Sequence, residues 1–433
     1  MKALLKQIIA QFHEESLPRP LPRAIELPDL PASVKKAIVL IGVRRCGKTW
    51  LLYQLIHQLL ATGVKKEHII YINFEDDRLD SMSLAHLQEI FDAYYELYPQ
   101  YLHDKLYLFF DEIQEVNGWE KFIRRLLDQE PFQIFITGSS AKMLSKEIAT
   151  SLRGRTLTRE IYPFSFVEYL QAKEVKTKIA LSAKQQAIQQ ALCLQYIERG
   201  GFPETLNAQP SLHRELLQSY VETVIYRDVI ERHKISNILA VKQFIFHCLR
   251  NAATPLSINK IYNDFKSQGI SVSKDSLYSY LSFFEDAYCL FTVPLFSLSL
   301  RSSTHSSKKI YPVDTGIIVT YSIKPDFDKS AQLETVVYIH LRKKYKAVYY
   351  YLTRNKKEID FVAVDDKENI HLYQVCLQLN EGKTLSRELS ALQEAMEELT
   401  VNHAYIITLD VNQELAINNK SITCQKVREF LLN

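Results

Sequence analysis

The 433 residues are too many for one ordinary hydrophobic core, so two to four domains are expected. Hydrophobic residues make up 47% and charged residues 24%, a globular composition, and a net charge of +3 gives no electrostatic case for nucleic acid or a membrane surface. No run of 18 apolar residues occurs, so no membrane-spanning helix is expected, and six scattered cysteines without a CxxC pair argue against structural zinc and fit a reducing, cytoplasmic compartment.

The apolar stretch within the first ten residues is broken by Lys6 and Gln7 and followed by Gln11 to Glu15, which makes it an amphipathic helix rather than a leader. A proline-rich stretch over residues 17–31 reads as an extended lead-in. The apolar run 37–41 then has the continuous burial of a parallel strand. A helix over 49–60 follows, then a strand over 69–74, a helix near 84–97, a strand over 106–110, a helix near 119–127 and a strand over 132–137. Strands alternating with helices give an α/β fold with a parallel sheet covered on both faces. Residues 164–233 read as helical and 236–314 as helices followed by short strands. From about 333 a helix precedes strands over 348–352, 359–364 and 370–376. The Ser/Lys stretch 301–309 reads as an exposed loop.

Gly42-Val43-Arg44-Arg45-Cys46-Gly47-Lys48-Thr49 matches the P-loop pattern between a buried strand and a helix. Glycines let the backbone fold round a phosphate, and successive N–H groups at a helix start face the anion. The nucleotide-binding segment is therefore expected to run from Gly42 to Thr49 and on to Trp50. Lys48 would reach the β- and γ-phosphates, and the Thr49 hydroxyl would ligate Mg²⁺. Arg44 and Arg45 would either touch ATP or brace neighbouring carboxylates. A second buried strand ends in Asp111-Glu112. Asp111 would hold the metal's shell and Glu112 would orient or deprotonate the attacking water, the positioning that phosphoryl transfer needs. Ser139, after the strand over 132–137, would either contact the γ-phosphate or water, or cap a helix. Arg155 would bring positive charge to a γ-phosphate, in cis or from a neighbouring subunit, or simply sit in a solvated basic turn. ATP and Mg²⁺ are the cofactors these residues call for.

Taken together, these residues resemble the prokaryotic AAA-type P-loop ATPases that carry a C-terminal domain of unknown function. The resemblance also rests on Tyr71-Ile-Asn-Phe-Glu-Asp76, Asp111-Glu-Ile-Gln114 with Trp119, Thr137-Gly-Ser-Ser140, Gly154-Arg155 and Tyr162-Pro-Phe-Ser-Phe166. It continues through Gly200-Gly-Phe-Pro203, Tyr311-Pro-Val-Asp-Thr-Gly316, Leu333-Glu334, Glu358-Ile-Asp-Phe361 and Gln374-Val-Cys376. It implies an ATPase core, a helical lid, a winged-helix-like segment and a C-terminal fold similar to restriction endonucleases.

Within residues 257–291 the pattern is helix, turn at Gly269, helix, strand, with Ser273 capping the second helix and Leu277, Leu281 and Phe284 forming its buried stripe. The stretch 301–309, with Arg301, His305, Lys308 and Lys309, would be the wing. The exposed positions of the second helix make a poor basic face for DNA. An active nuclease of the endonuclease-like fold needs two acidic positions and then a Glu-x-Lys. Glu334 and Asp360 fit the first two, but Gln374 and Cys376 occupy the last. A cysteine cannot replace a cation on a long stem, so the expectation is a degenerate site that does not cut DNA. Basic clusters at 342–346 and 354–357 flank three tyrosines. They read either as a nucleic-acid grip or as a solvated helix end and turn beside packed tyrosines.

The expected organisation is a helix and lead-in over 1–35, the ATPase core over 36–160, the lid over 161–235, the winged-helix-like segment over 236–320 and the endonuclease-like α/β domain over 321–433. The expected activity is hydrolysis of ATP that remodels or switches a protein partner. An ATP-gated DNA-binding switch with little turnover is the alternative. A homo-oligomer is compatible with either, and a membrane with neither.

Overall fold

The computed structural model of the protein describes residues 1–25, 31, 34–129, 132–138, 152, 154–178, 181–297, 307–322, 325–379, 383–417 and 420–433. It divides into two compact units, Met1–Tyr162 with Asp286–Tyr288, and Pro163–Glu285 with Cys289–Asn433.

In the first unit, helix α1 (Lys2–Glu14) buries Leu5, Ile8 and Ile9, spaced at helical intervals as the broken apolar stretch requires. Strand β1 (Ala37–Ile41) is buried at every position. It leads through the glycine-bearing loop into helix α2 (Lys48–Ala61). Strand β2 (Ile69–Asn73), helix α3 (Glu89–Leu97), strand β3 (Tyr107–Asp111), helix α4 (Trp119–Gln129), strand β4 (Gln133–Gly138) and strand β5 (Thr156–Glu160) complete the series. The sheet is parallel throughout in the order β2-β3-β4-β1-β5. The expected α/β class is therefore the observed one.

Two details differ from expectation. The helix expected near 84–97 opens as a 3₁₀ turn, Leu84–Gln88, because the His86 ring accepts the Ser83 N–H at 3.1 Å and tightens the start. The fifth strand, β5, lies at the sheet edge with all its residues partly or fully exposed, so no apolar run announces it.

In the second unit the helices Phe166–Ala172, Ala183–Arg199 and Pro210–Thr223 precede a π-helical stretch, Val224–Glu231, and the helix Ile238–Arg250. The pair Ile258–Ser267 and Lys274–Asp286 turns at Gly269, which has a φ of +73°. Ser273 Oγ accepts the Ser276 N–H at 3.0 Å, and Leu277, Leu281 and Phe284 are buried. Strands β6 (Pro255–Leu256), β7 (Leu290–Val293) and β8 (Lys308–Pro312) form a small antiparallel sheet in the order β6-β8-β7.

Strand β8 corrects the reading of 301–309 as an exposed loop at Lys309, while residues 301–306 lie outside the described residues. Arg301 and His305 lie outside the described residues, but Lys308 and Lys309 belong to the strand and Lys309 is only 1% exposed. The serines and lysines beside it suggest solvent, yet Lys309 alternates with Tyr311 and so shares its buried face.

The C-terminal part holds a six-stranded mixed sheet in the order β13-β14-β12-β11-β10-β9, with β9 Ala347–Leu352, β10 Glu358–Val364, β11 Ile370–Val375, β12 His403–Thr408, β13 Gln413–Ile417 and β14 Lys420–Lys426. Its core includes Ile359, Val362, Leu372, Leu392, Met396, Ala404, Ile406 and Ile422. The helix Pro325–Lys344 brings Tyr338 against Tyr311 of β8 and Phe361 of β10, with ring centroids 4.5 and 6.0 Å away. That aromatic stack fixes β8 beside the sheet. The expected strands β9 to β11 are present. The helix Lys383–Glu398 and strands β12 to β14 were not anticipated.

Candidate nucleotide site

Every residue expected at the phosphate site that lies on a described strand or its exit stands at the carboxyl edge of the parallel sheet, where α/β folds leave a crevice. The register pairs Leu40 with Thr137, Ile41 with Gly138 and Asn73 with Asp111. Strand β4 lies between β1 and β3, so Thr137 sits between the P-loop and the acidic pair.

The loop conformation needs its glycines. A Cβ on Gly42 would lie 2.0 Å from the Ile161 carbonyl oxygen, and Gly47 has a φ of +98° immediately before α2. Lys48 is 5% exposed. Its Nζ donates to the carbonyls of Gly42 at 3.2 Å and Val43 at 3.3 Å, and lies 3.6 Å from Glu112 Oε1. Burial pulls the Lys48 pKa down, but Glu112, with Cys46 and Asp111, outweighs it and holds the ammonium above the ordinary lysine value.

Asp111 is fully buried and Glu112 nearly so. Burial pushes the Asp111 carboxyl up, against hydrogen bonds from Thr137, Thr49 and Tyr71 that favour its charge. Tyr71 donates to Asp111 Oδ2 at 3.1 Å, and Thr137 Oγ1 donates to Oδ1. The same Thr137 oxygen accepts the Glu112 N–H at 2.9 Å. Glu112 adopts a left-handed φ of +52°, and its carboxylate accepts from the Gln114 amide. One threonine thus ties the two acidic residues together. The Thr49 hydroxyl beside a single buried carboxylate fits a magnesium ion that takes the rest of its shell from phosphate and water.

Of the other candidates, Arg44 braces Glu75 at 3.0 Å, Arg45 takes a φ of +64° within the loop, Cys46 is buried, and Trp50 remains 48% exposed. Burial raises the Cys46 thiol pKa. Ser139 lies outside the described residues. Arg155 pairs with Asp128 in a partly exposed ion pair, and its carbonyl accepts the Ala37 N–H at 3.0 Å. It therefore stands at the start of β5, whereas the P-loop follows the end of β1. The register Ala37–Thr156 to Ile41–Glu160 separates them by the length of the strands, roughly 16 Å. In this structure its side chain is taken up by Asp128 and does not span that distance.

Sequence reasoning missed Arg23. This lead-in residue is 7% exposed and donates 2.7 Å hydrogen bonds to the carbonyls of Cys46 and Tyr162. Its backbone also exchanges two bonds with Gln54 of α2. The proline-rich lead-in is thereby fastened to the loop and to the helix behind it. A lone arginine between prolines carries no motif, so nothing local announced it.

In the second unit, the runs 200–203 and 311–316 meet at Asp314, which accepts the N–H groups of Gly201 at 2.7 Å and Gly316 at 2.9 Å. Burial pushes its carboxyl up to about 6. Glu334, Asp360 and Gln374 also come together. Gln374 Oε1 accepts the Asp360 N–H at 3.3 Å, while Lys309 Nζ lies 2.8 Å from Glu334, 2.7 Å from Glu358 and 3.4 Å from Asp360. A cation from β8 thus lies among these acidic residues. In the basic clusters Lys346 forms an exposed pair with Glu368, Lys357 pairs with Glu394, and Arg342 lies over Phe291. Tyr349 packs on Phe296, and Tyr351 donates to Glu398.

A glycine-shaped loop, a buried lysine at the helix start and two carboxylates at the end of β3, one strand away across β4, define an AAA-type ATPase domain, and the family model described as "AAA domain" matches residues 34–170. Two models described as domains of unknown function, DUF8612 and DUF4143, match residues 190–326 and 329–427. "Uncharacterized protein MJ1544" of Methanocaldococcus jannaschii is 37% identical over 396 residues, covering 90% of this chain and 85% of that protein. The chain belongs to the same family. A Haemophilus influenzae relative is 29% identical over 85% of this chain and 89% of its own length. Among solved structures, "The walker-type atpase paby2304 of pyrococcus abyssi" superposes at TM-score 0.43 and 16% identity, covering 66% of this chain and 90% of that one. Among the described residues no helix is long and apolar enough to cross a membrane.

Proposed function

We propose that the chain hydrolyses ATP with Mg²⁺ at the carboxyl edge of the β1–β5 sheet and uses the cycle to switch or remodel a protein partner. The observation that carries this reading is the buried Lys48 ammonium facing Glu112, with Asp111, Thr49 and Thr137 hydrogen-bonded beside it. Lys48 would leave the loop carbonyls for the β- and γ-phosphates. Thr49 and Asp111 would hold the magnesium, which supplies neutralising charge on the phosphate oxygens. Glu112 would accept a proton from water as its oxygen forms a bond to the γ-phosphorus and ADP leaves. Gln114 and Thr137 would keep that carboxylate placed. Arg155 acts, on this reading, on the ATP of a neighbouring copy. The C-terminal sheet serves as an endonuclease-like binding platform without cleavage.

Phosphate release by the purified chain, with and without DNA and with Lys48→Ala as the blank, tests the reading. Turnover without DNA, absent from Lys48→Ala, is expected. Turnover equal in the two proteins removes the P-loop assignment. Nucleotide binding without turnover, and DNA affinity that follows the nucleotide, moves the function to an ATP-gated DNA switch.

A further inference from the structure

The cluster formed by Lys309, Glu334, Glu358 and Asp360 brings oxygens from three carboxylates within 3.4 Å of one nitrogen. The three acids come from a helix and a single strand, β10, which carries a bulge between Ile359 and Val362. Their oxygens are hard donors around a common point, the arrangement that binds a divalent cation when the point is free. Here it is not free. Lys309 reaches it from β8 and is almost completely buried. Part of the remaining acceptor capacity is also used. Tyr311 donates to Glu334 at 2.6 Å, and the Val375 N–H donates to the second oxygen of Asp360 at 2.9 Å. Among the described residues no group of three His, Cys, Asp or Glu side chains stands ready for a metal ion.

We infer that the Lys309 ammonium occupies the place a divalent cation would take in an endonuclease-like site, so that the cluster is a structural clamp holding β8 to the C-terminal sheet. The inference deepens the non-cleaving reading of that domain and is independent of the ATPase proposal. It also explains how two largely buried acids, Glu334 and Asp360, sit beside the more exposed Glu358. Burial lowers the Lys309 pKa, but Asp360, Glu334 and Glu358 together hold it well above the ordinary value. Burial and the Glu334 charge raise the Asp360 carboxyl, against Lys309. An ammonium meets oxygens at hydrogen-bond length, whereas Mg²⁺ draws its ligands to about 2.1 Å. Lysine therefore keeps the corner in one open geometry and supplies the neutralising charge without a bound ion.

The test is Mn²⁺ binding to the full, nucleotide-free chain, followed by electron paramagnetic resonance. Wild type should show no Mn²⁺ site that Glu334→Gln removes. Lys309→Met keeps the apolar stem and frees the corner. It should gain one Mn²⁺ per chain, bound at least about tenfold more tightly than any Mn²⁺ in wild type, and adding Asp360→Asn should abolish the gain. A folded Lys309→Met chain that gains no site overturns the substitution of ammonium for metal. Should that variant not fold, wild type still decides: a Mn²⁺ site lost in Glu334→Gln overturns the inference, and its absence supports it. Mn²⁺-dependent nicking of supercoiled DNA by wild type, lost in Asp360→Ala, overturns the non-cleaving reading as well.

Discussion

Each unit of the molecule buries a lysine among carboxylates, and the two lysines are held in opposite ways. Lys48 lies 3.6 Å from one carboxylate and spends its hydrogen bonds on two loop carbonyls at 3.2 and 3.3 Å. Lys309 has partners at 2.7 and 2.8 Å and a third at 3.4 Å, all charged or chargeable. On the proposed reading the first ammonium gives up only neutral carbonyls, which hold it weakly, when a phosphate arrives, and keeps the charge of Glu112 nearby. The second would leave two largely buried acids, Glu334 and Asp360, uncompensated, which costs several kcal/mol. A buried lysine marks a ligand site when its present partners are poor and a fastening when they are good.

This contrast predicts a double dissociation. Lys309→Ala should destabilise the second unit by about 3–5 kcal/mol, the cost of breaking a buried pair, while phosphate release per folded molecule stays at the wild-type value. Lys48→Ala should remove turnover and cost far less stability. Chemical denaturation of both variants alongside phosphate release checks this. Loss of turnover in folded Lys309→Ala, or equal destabilisation by the two substitutions, breaks the comparison.

A smaller effect sharpens the first half of it. Arg23→Ala leaves the buried carbonyls of Cys46 and Tyr162 without their donor, at about 1–3 kcal/mol. If Arg23 positions the loop, KM for ATP should rise several-fold with kcat little changed, and Arg23→Lys should restore part of the loss. A fall in stability with KM unmoved would make Arg23 a structural tie only.

The candidate ATP site could be proposed from the sequence because its residues fall in two short runs. The stretch 42–49 carries its own glycine requirements, and the strand ending in Asp111-Glu112 is an unbroken apolar run. The parallel sheet followed from the same alternation. Arg23, Thr137 as a bridge between the acids, and Lys309 were not legible, because each acts through partners 23 to 139 residues away. Lys309 was read wrongly for a definite reason. A Ser/Lys stretch suggests water, and the burial of one lysine in it is set by carboxylates on another helix and strand. Only its alternation with Tyr311 hinted at the buried face. The place of Arg155 needed the register of β5, an exposed edge strand with no apolar signature.

The most direct test of the proposed chemistry is Glu112→Gln, measured for both binding and cleavage of radiolabelled ATP in one reaction. The amide keeps the shape and loses the base. Lys48 also loses the charge that now holds it, so nucleotide should bind at least as well as in wild type. Cleavage of the bound nucleotide should slow about a hundredfold or more, as loss of a general base requires. Cleavage at the wild-type rate would contradict the role given to Glu112 and reduce it to a partner that holds Lys48 in place.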